Sequence, residues 1–386
     1  MREIMYLTGY EYKKIFQKRS TWIALALVAL WTVFSGISGI IGDYYVEGEK
    51  AGTRYQMVKK EREALEHPEI GELNEDFFRR EQEMSELYAP YDNYHVLLSM
   101  IEQQVGKIDK ESMTTEDFYK MRKVMLENIS KGQNLSEGER AFHMKENEQI
   151  TTPYAYGNML GFDYYFRMLP LNFVFLSLAA AIILAPMFAG EYTSHMDGLV
   201  LSSRFGKNKL IQAKLLTGIS FGFLASMLFG GILLLEIQAV YGLSGWNLPL
   251  QVSPTGCYLS LPVNLLEFAG TVTACCAIST CMTAVFVMFC SVKMKSPFGV
   301  IIVSFSFITA PLFLIYMVRG HRLLFMLINS MPTSMVFPQS TAAHQLLSVG
   351  GHYFYFFQWV PVVYLCLMAL LSWRSFCNFQ KHEVCI

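Results

Sequence analysis

The chain has 386 residues, of which 53% are apolar and 14% aromatic, and its formal net charge is −1. A mean hydropathy of +0.30 is too high for an ordinary soluble enzyme of this length, and no basic aromatic patch indicates a nucleic-acid partner. The composition indicates an integral membrane protein.

A first membrane span is predicted at residues 21–41. Crossing about 30 Å of hydrocarbon takes about 20 mostly apolar residues, because a helix satisfies its backbone hydrogen bonds within its own segment. The basic residues before the span suit a signal peptide, but the apolar core is too long and no small-x-small cleavage site follows it. We therefore interpret it as a signal anchor.

Residues 42–168 are predicted to form an acidic, helical domain outside the membrane. They contain 25 of the 32 acidic and 16 of the 31 basic residues, which gives a net charge near −9. Turn signals are sparse, and apolar residues recur at helical spacing between Tyr94 and Val105. Two Ser/Thr-x-x-acid patterns, beginning at Thr114 and Ser136, predict helix starts.

This domain shows no alternating strand pattern, so no strand is predicted in it. It also has no cysteine, so we expect helix packing or a second copy of the domain to stabilise it. Its acidic surface either attracts a cationic ligand or is the ordinary solvated face of exposed helices. The sequence leaves both possibilities open.

Residues 169–386 are predicted to form a five-span bundle, with spans at 169–189, 215–237, 262–290, 297–318 and 353–373. Basic residues concentrate on one side of the six spans, which places both termini in the cytoplasm. The apolar piece 323–328 is too short to span, so it either dips towards the membrane or packs as a short helix. The expected fold is an all-α membrane protein with six transmembrane helices and a helical extracytoplasmic domain between the first two.

The cytoplasmic loop at residues 190–214, GEYTSHMDGLVLSSRFGKNKLIQAK, opens with an acid and ends in a row of bases. Met196, Leu199 and Val200 have the spacing of a short helix over residues 196–203. Four basic residues are then expected to meet the anionic inner leaflet: Arg204, Lys207, Lys209 and Lys214.

The acid after the second span and the run DGLVLSSRFGKNKLIQAKLL, with six spans in this order, resemble the permeases of type 2 ABC exporters. The resemblance covers about two thirds of the chain, and the chain is similar in particular to bacterial sodium-extrusion and antimicrobial-peptide or bacteriocin-resistance permeases. It implies that residues 1–20 form an amphipathic helix on the cytoplasmic interface. The long insertion at 42–168 is not matched residue by residue.

In that family the loop after the second span is a coupling helix that docks on a separate ATPase. The resemblance implies that role for the following residues: Glu191, Asp197, Gly198, Arg204, Lys207 and Lys209. Lys293 and Lys295, in the second cytoplasmic turn SVKMKSP, are weaker candidate contacts. The alternative is an ordinary inner loop that obeys the positive-inside rule.

The resemblance also implies the partners. They are ABC ATPase subunits, which would bind ATP and magnesium, a second copy or a related permease, and membrane lipid. The chain itself has no G-x-x-x-x-G-K-[ST] sequence, since FGKNK lacks the required glycine spacing and hydroxyl, so no ATPase site and no cofactor are predicted in it. It also lacks H-E-x-x-H and any metal-binding Cys or His spacing, so neither an enzyme nor a metal site is predicted.

Three polar residues near membrane depth are candidates for a translocation pathway: Glu267, Thr271 and Glu236. A buried charge in a span costs about 3 kcal/mol, and less near the interface, so the alternatives are snorkelling to the surface and helix packing. A pathway role for Glu267 predicts that Glu267→Gln abolishes transport.

The sequence therefore predicts a multi-pass permease subunit in a bacterial plasma membrane, working as a dimer. It would move a hydrophobic or cationic peptide, a drug, a lipid or a sodium ion outward with ATP hydrolysed by a separate subunit. The alternative is a membrane sensor or scaffold whose outer domain binds a ligand and signals to a partner.

Overall fold

Most described residues in this computed structural model are helical, and the structure describes residues 2–46, 48–65, 71–84, 93–108, 113–203, 205–318 and 320–380. The helices before the second span are α1 (Arg2–Gln17), α2 (Arg19–Ile37), α3 (Arg54–Leu65), α4 (Glu75–Met84), α5 (Asn93–Val105), α6 (Thr115–Gly132) and α7 (Glu137–Glu148). Those that follow are α8 (Leu160–Leu184), α9 (Ala189–Thr193), α10 (Asp197–Ser202), α11 (Lys209–Val240), α12 (Leu265–Lys293), α13 (Pro297–Met317), α14 (Arg322–Asn329), α15 (Pro338–Thr341) and α16 (Phe356–Gln380). Two antiparallel hairpins pair β1 (Asp43–Val46) with β2 (Glu49–Thr53), and β3 (Leu347–Val349) with β4 (His352–Phe354).

Six helices are long and apolar enough to cross a membrane, in the order that the sequence predicts. Their bounds are Arg19–Ile40, Leu160–Met187, Lys209–Val240, Leu265–Lys293, Pro297–Met317 and Phe356–Gln380. The second span begins at Leu160, whereas the sequence predicts its start at residue 169. The charged residues Asp163 and Arg167 do not end the helix, because they form an ion pair of 3.0 Å with each other one turn apart. The fold is thus a mainly helical, multi-pass membrane architecture, and α14 confirms the short helix expected near residues 323–328.

The prediction that residues 42–168 contain no strand is wrong at β1 and β2. The strand sequences DYYV and EKAGT lack apolar alternation, and a bulge between Tyr44 and Tyr45 interrupts their register. Two other features form the hairpin: Gly48 has a φ of +89°, which suits a glycine, and Lys50 pairs with Asp43 at 2.7 Å. Neither feature produces the period of two by which a strand is recognised.

Helix α12 lies at the centre of the six spans. In its most apolar stretch 83% of the residues are buried, whereas the figure for α16 is 17%. Small residues let the neighbouring helices approach it closely. A Cβ at Gly218 of α11, for example, would lie 2.2 Å from Sδ of Met288 in α12.

The bundle has two distinct ends. We call the end that holds α1, α9 and α10 the base end, and the end that carries the described residues between 43 and 159 the domain end. At the base end Lys209 pairs with Glu3, and Gln380 bonds to the backbone of Lys207, so the starts of α1 and α11 lie beside the end of α16. At the domain end Asn158, just before α8, bonds to the carbonyl of Tyr241, just after α11.

The domain has its own aromatic core. Rings in contact include those of Phe77, Phe78, Phe118, Tyr119, Tyr154 and Tyr156. The predicted caps are confirmed: Thr114 accepts from the amide of Asp117, and Ser136 forms a capping box with Glu139.

The domain is also joined to loops of the bundle by a group of contacts that we call the α7 clamp. Both Glu139 oxygens accept from Arg322, at 2.7 and 2.6 Å, and one also accepts from the amide of Leu346 at 2.8 Å. Nε2 of His143 lies 2.8 Å from the carbonyl of His344. The domain is therefore fixed on the bundle by bonds that cross about 200 residues of sequence.

Candidate functional site

A buried lysine lies at the centre of the base end. Lys214 of α11 is 1% exposed, and its ammonium donates to the carbonyl of Met187 at 2.5 Å and to Glu191 at 2.8 Å. A carboxylate oxygen of Glu11, from α1, lies 3.3 Å away. A buried cation is tolerated when carboxylates and hydrogen bonds surround it in this way.

Lys14 extends this network towards the surface. Its ammonium lies 2.7 Å from Glu11 and 3.7 Å from Glu191, so two bases and two acids alternate. We call Glu11, Lys14, Glu191 and Lys214 the base network. It joins α9 and α11 to α1, which is far from both in the sequence.

Ser291 of α12 fixes the turn between α8 and α9. Its hydroxyl accepts from the amides of Phe188 and Ala189, at 3.0 and 2.9 Å, and donates to the carbonyl of Ala185 at 2.6 Å. The hydroxyl of Tyr192 donates to Val292 at 3.1 Å. These four hydrogen bonds tie the turn between α8 and α9 to α12.

The same turn packs on the last span. The ring of Phe379 in α16 lies 5.2 Å from that of Phe188 and 6.2 Å from that of Tyr192. Segment 185–193 is thus held by α1, α11, α12 and α16 together.

Helix α10 lies beyond this fixed segment and presents apolar side chains outward. Leu199 is 65% exposed and Met196, immediately before the helix, is 47% exposed. The turn after α10 closes tightly, since a Cβ at Gly206 would lie 1.6 Å from the carbonyl oxygen of Val200. Met196 and Leu199, which we call the apolar tip, therefore adjoin a segment that contacts four helices.

The structure divides the predicted coupling residues into two groups. Lys207, Lys293 and Lys295 are exposed at the base end, and Gly198 lies within α10. Glu191 lies beneath this surface, with its side chain 13% exposed and bonded to Lys214, while Lys209 pairs with Glu3. The side chain of Asp197 and all of Arg204 lie outside the described residues.

The expectation that Lys214 meets the inner leaflet is wrong. Its side chain is buried against Glu11 and Glu191, because two carboxylates brought there by α1 and α9 offer a better partner than a lipid headgroup. Sequence reasoning missed Glu11, Lys14 and Ser291. The i, i+3 spacing of Glu11 and Lys14 was a visible signal, whereas nothing local marks Ser291.

The candidate pathway residues lie towards the domain end, on two different helices. Glu267 is exposed and completes a capping box with Asn264 at the start of α12, and Thr271 donates to the carbonyl of Glu267 at 2.8 Å. Glu236 packs where α11 crosses α2, since a Cβ at Gly36 would lie 2.2 Å from its Oε2. These contacts are a helix cap at Glu267, a bond within α12 at Thr271, and a helix crossing at Glu236.

Comparisons of the chain with protein-family models, with curated proteins and with solved structures find no match. Any function must therefore be argued from the residues themselves.

Proposed function

We propose that the chain is the permease subunit of an ATP-binding cassette exporter, which moves its substrate outward with ATP hydrolysed by separate ATPase subunits. In this proposal the base end faces the cytoplasm, the domain lies outside a bacterial plasma membrane, and a second copy or a related permease completes the pathway. The ATPase subunits hold the ATP and magnesium.

One observation carries the proposal: an exposed apolar tip stands on a rigid joint. A motor that pushes on a membrane bundle needs a contact that it can grip and a connection that does not bend. Leu199 and Met196 provide the apolar contact. The base network and Ser291 provide the stiff connection to the spans.

The charges around the tip suit a partner with an acidic rim. Lys207, Lys293 and Lys295 are exposed near the same end of the bundle. Exposed charges of one sign at the edge of an interface speed association and set its orientation, while a buried apolar centre supplies affinity. The same basic side chains agree with a cytoplasmic base end.

The spans leave room for a second permease. Only 22% of the most apolar stretch of α13 and 17% of that of α16 are buried, so both helices have wide apolar faces for lipid or another bundle. The well-buried α12 then lies behind these faces.

The proposal is tested by purifying the tagged full chain from membranes of its host. We expect an ATPase subunit to copurify and to hydrolyse ATP. The double variant Met196→Asp/Leu199→Asp is expected to lose about tenfold or more of that partner, since charges replace the apolar contact. Tyr55→Asp is the matched control, because Tyr55 is 54% exposed on α3 at the domain end and should retain the partner.

Failure to recruit any nucleotide-hydrolysing subunit would overturn the proposal. A kinase or protease partner in its place would favour the sensor. Equal recruitment by both variants would remove α10 as the contact.

A further inference from the structure

Two cavities lie at the domain end, between the domain and the bundle. One has a volume of about 620 Å³ and the other about 930 Å³. Met100, Tyr258 and Gln339 line both of them, so the cavities are neighbours separated by these shared side chains. Each has the size of a typical small-ligand site, and we call the two together the chamber.

The larger cavity is lined by neutral amides and apolar side chains. The described lining residues include no Asp, Glu, Lys or Arg. Six of its amide side chains are Gln103, Gln104, Asn128, Gln133, Asn329 and Gln345. Its one histidine, His344, stays neutral near pH 7, because burial lowers its pKa to about 4. This cavity therefore offers both hydrogen-bond donors and acceptors without net charge. Two of the donors are already used, because Nδ2 of Asn128 donates to the carbonyl of Gln104 and Nδ2 of Asn329 donates to that of Ser340.

The smaller cavity has charges of both signs among tyrosines. Arg54 and Arg167 line it together with Glu61 and Asp163. Tyr164 and Tyr241 stack at 4.3 Å on its wall. Such a surface accommodates either sign of charge, and its rings pack against apolar groups.

We propose that the chamber binds a peptide, with backbone amides and apolar side chains in the larger cavity and a charged side chain or chain end in the smaller one. A peptide group pairs a donor with an acceptor, as an Asn or Gln side chain does. Met100 and Met125 adapt to apolar side chains of different shapes. Lipid tails fit poorly, since they would leave the buried Oε1 of Gln345 without a partner.

A second observation supports a ligand with donors. Gln345 lines the larger cavity and is 6% exposed, yet its Oε1 accepts no hydrogen bond from the residues that the structure describes. A buried acceptor without a partner is costly unless something else satisfies it. The N–H of a bound peptide would do so after a small rotation of the amide.

The inference rests on the proposed function only for the direction in which the peptide moves, because binding itself needs no ATPase. It deepens that proposal by selecting peptides from the possible substrates. It also gives the domain a role, since α3, α5 and α6 supply one wall of the chamber.

The test uses the purified full chain in phospholipid nanodiscs. The probe is a pool of fluorescein-labelled octapeptides with capped ends, randomised over apolar and small polar residues, and the readout is fluorescence anisotropy. We expect saturable binding that unlabelled pool displaces. Gln345→Met should weaken it about tenfold without lowering the unfolding temperature, since it removes an unpaired acceptor at similar volume.

Gln212→Met is the matched control, because Gln212 is exposed at the base end, far from the chamber. This variant should bind the pool as the wild type does. Gln133→Leu is a second test variant. It changes an exposed residue of the cavity lining, so it should weaken peptide binding without destabilising the fold. Arg54→Gln should weaken octapeptides with a free carboxyl end while sparing amidated ones.

Three results would each overturn the inference. They are the absence of saturable binding, equal binding by wild type, Gln345→Met and Gln133→Leu, and native mass spectra that show only phospholipid bound to the protein. ATPase recruitment without peptide binding would contradict this inference but not the proposed function. Peptide binding without ATPase recruitment would contradict the proposed function but not this inference.

Discussion

The two ends of the bundle are both held by polar bonds between distant residues, yet they differ in how those bonds are made. At the base end two lysines and two glutamates share one network around Lys214, which is 1% exposed. At the α7 clamp a single ion pair, Glu139 with Arg322, stands beside two neutral histidines. The base end is built as a charged joint, whereas the domain end is built as a clamp that protonation can weaken.

The chemistry of the clamp explains this difference. Burial lowers the pKa of His143, and it lowers that of His344 to about 4. The pKa of Glu139 falls to about 2; burial opposes the shift, and bonds from Arg322, Leu346 and Ser136 outweigh it. The histidines and the carboxylate therefore lose their stabilising protonation states at different pH.

The largest expected effect breaks the base end. Lys214→Met leaves the carboxylates of Glu11 and Glu191 without their buried partner, so we predict a loss of about 3 to 5 kcal/mol in unfolding free energy. Thermal unfolding of the full chain in detergent measures it. Lys209→Met is the matched control, since its pair with Glu3 is exposed and should cost less than about 1 kcal/mol.

Neutralising the acids together with the lysine sharpens this test. The triple variant Lys214→Met/Glu11→Gln/Glu191→Gln removes the stranded charges and should recover at least half of the loss. If Lys214→Met were no less stable than Lys209→Met, the base network would not be the joint that we describe.

A smaller effect, confined to the domain end, is expected on acidification. A histidine with a lowered pKa contributes stability that is complete above about pH 6.5 and declines as the pH falls towards its folded pKa. Glu139, with its pKa near 2, keeps its contribution down to about pH 4.5. Between pH 6.5 and 4.5 the clamp should therefore lose about 2 kcal/mol through His344. The lowered pKa of His143 adds to this loss in the same direction.

Hydrogen exchange at α7 and at the amide of Leu346 measures this loss, and exchange at segment 185–193 should change far less. The titratable residues beside the imidazole rings of His143 and His344 are Glu139, Tyr258 and Tyr355. His344→Gln should flatten the pH dependence, while His352→Gln, on an exposed strand, should retain it. An unchanged acid response in His344→Gln would contradict the assignment.

The sequence predicts the elements of both ends better than it predicts their contacts. Apolar length identifies the six spans, and cap patterns identify the starts of α6 and α7, because both signals are local. The sequence also identifies Glu191 and Lys214 as charged residues of the loop at 190–214. Their pairing with each other and with Glu11 joins residues that are 23 and about 200 positions apart, and no local pattern records such contacts.

The chamber could not be predicted from the sequence, for the same reason. Gln103, Gln133 and Gln345 are unremarkable polar residues in three separate segments, and only the fold brings them to one cavity. The α7 clamp likewise joins residues 139 and 322. In this chain, local signals identify helices, and long-range polar contacts determine what the helices enclose.

The smallest expected effect concerns Glu267, which differs from both ends in having a purely local role in the structure. Its carboxylate accepts from the amide of Asn264 at 3.0 Å in an exposed capping box. Glutamine serves equally well at this position of the box. We therefore predict that Glu267→Gln changes unfolding free energy by less than about 0.5 kcal/mol, whereas Asn264→Ala costs about 1 kcal/mol.

ATP hydrolysis by the copurified complex gives the second reading of the same pair. It should stay within twofold in Glu267→Gln if the side chain only caps α12. A tenfold fall in ATP hydrolysis without any loss of stability would mean that activity requires the charge of Glu267 beyond its role as a helix cap. That result would separate a pathway carboxylate from a structural one, and it would restore the translocation role expected from the sequence.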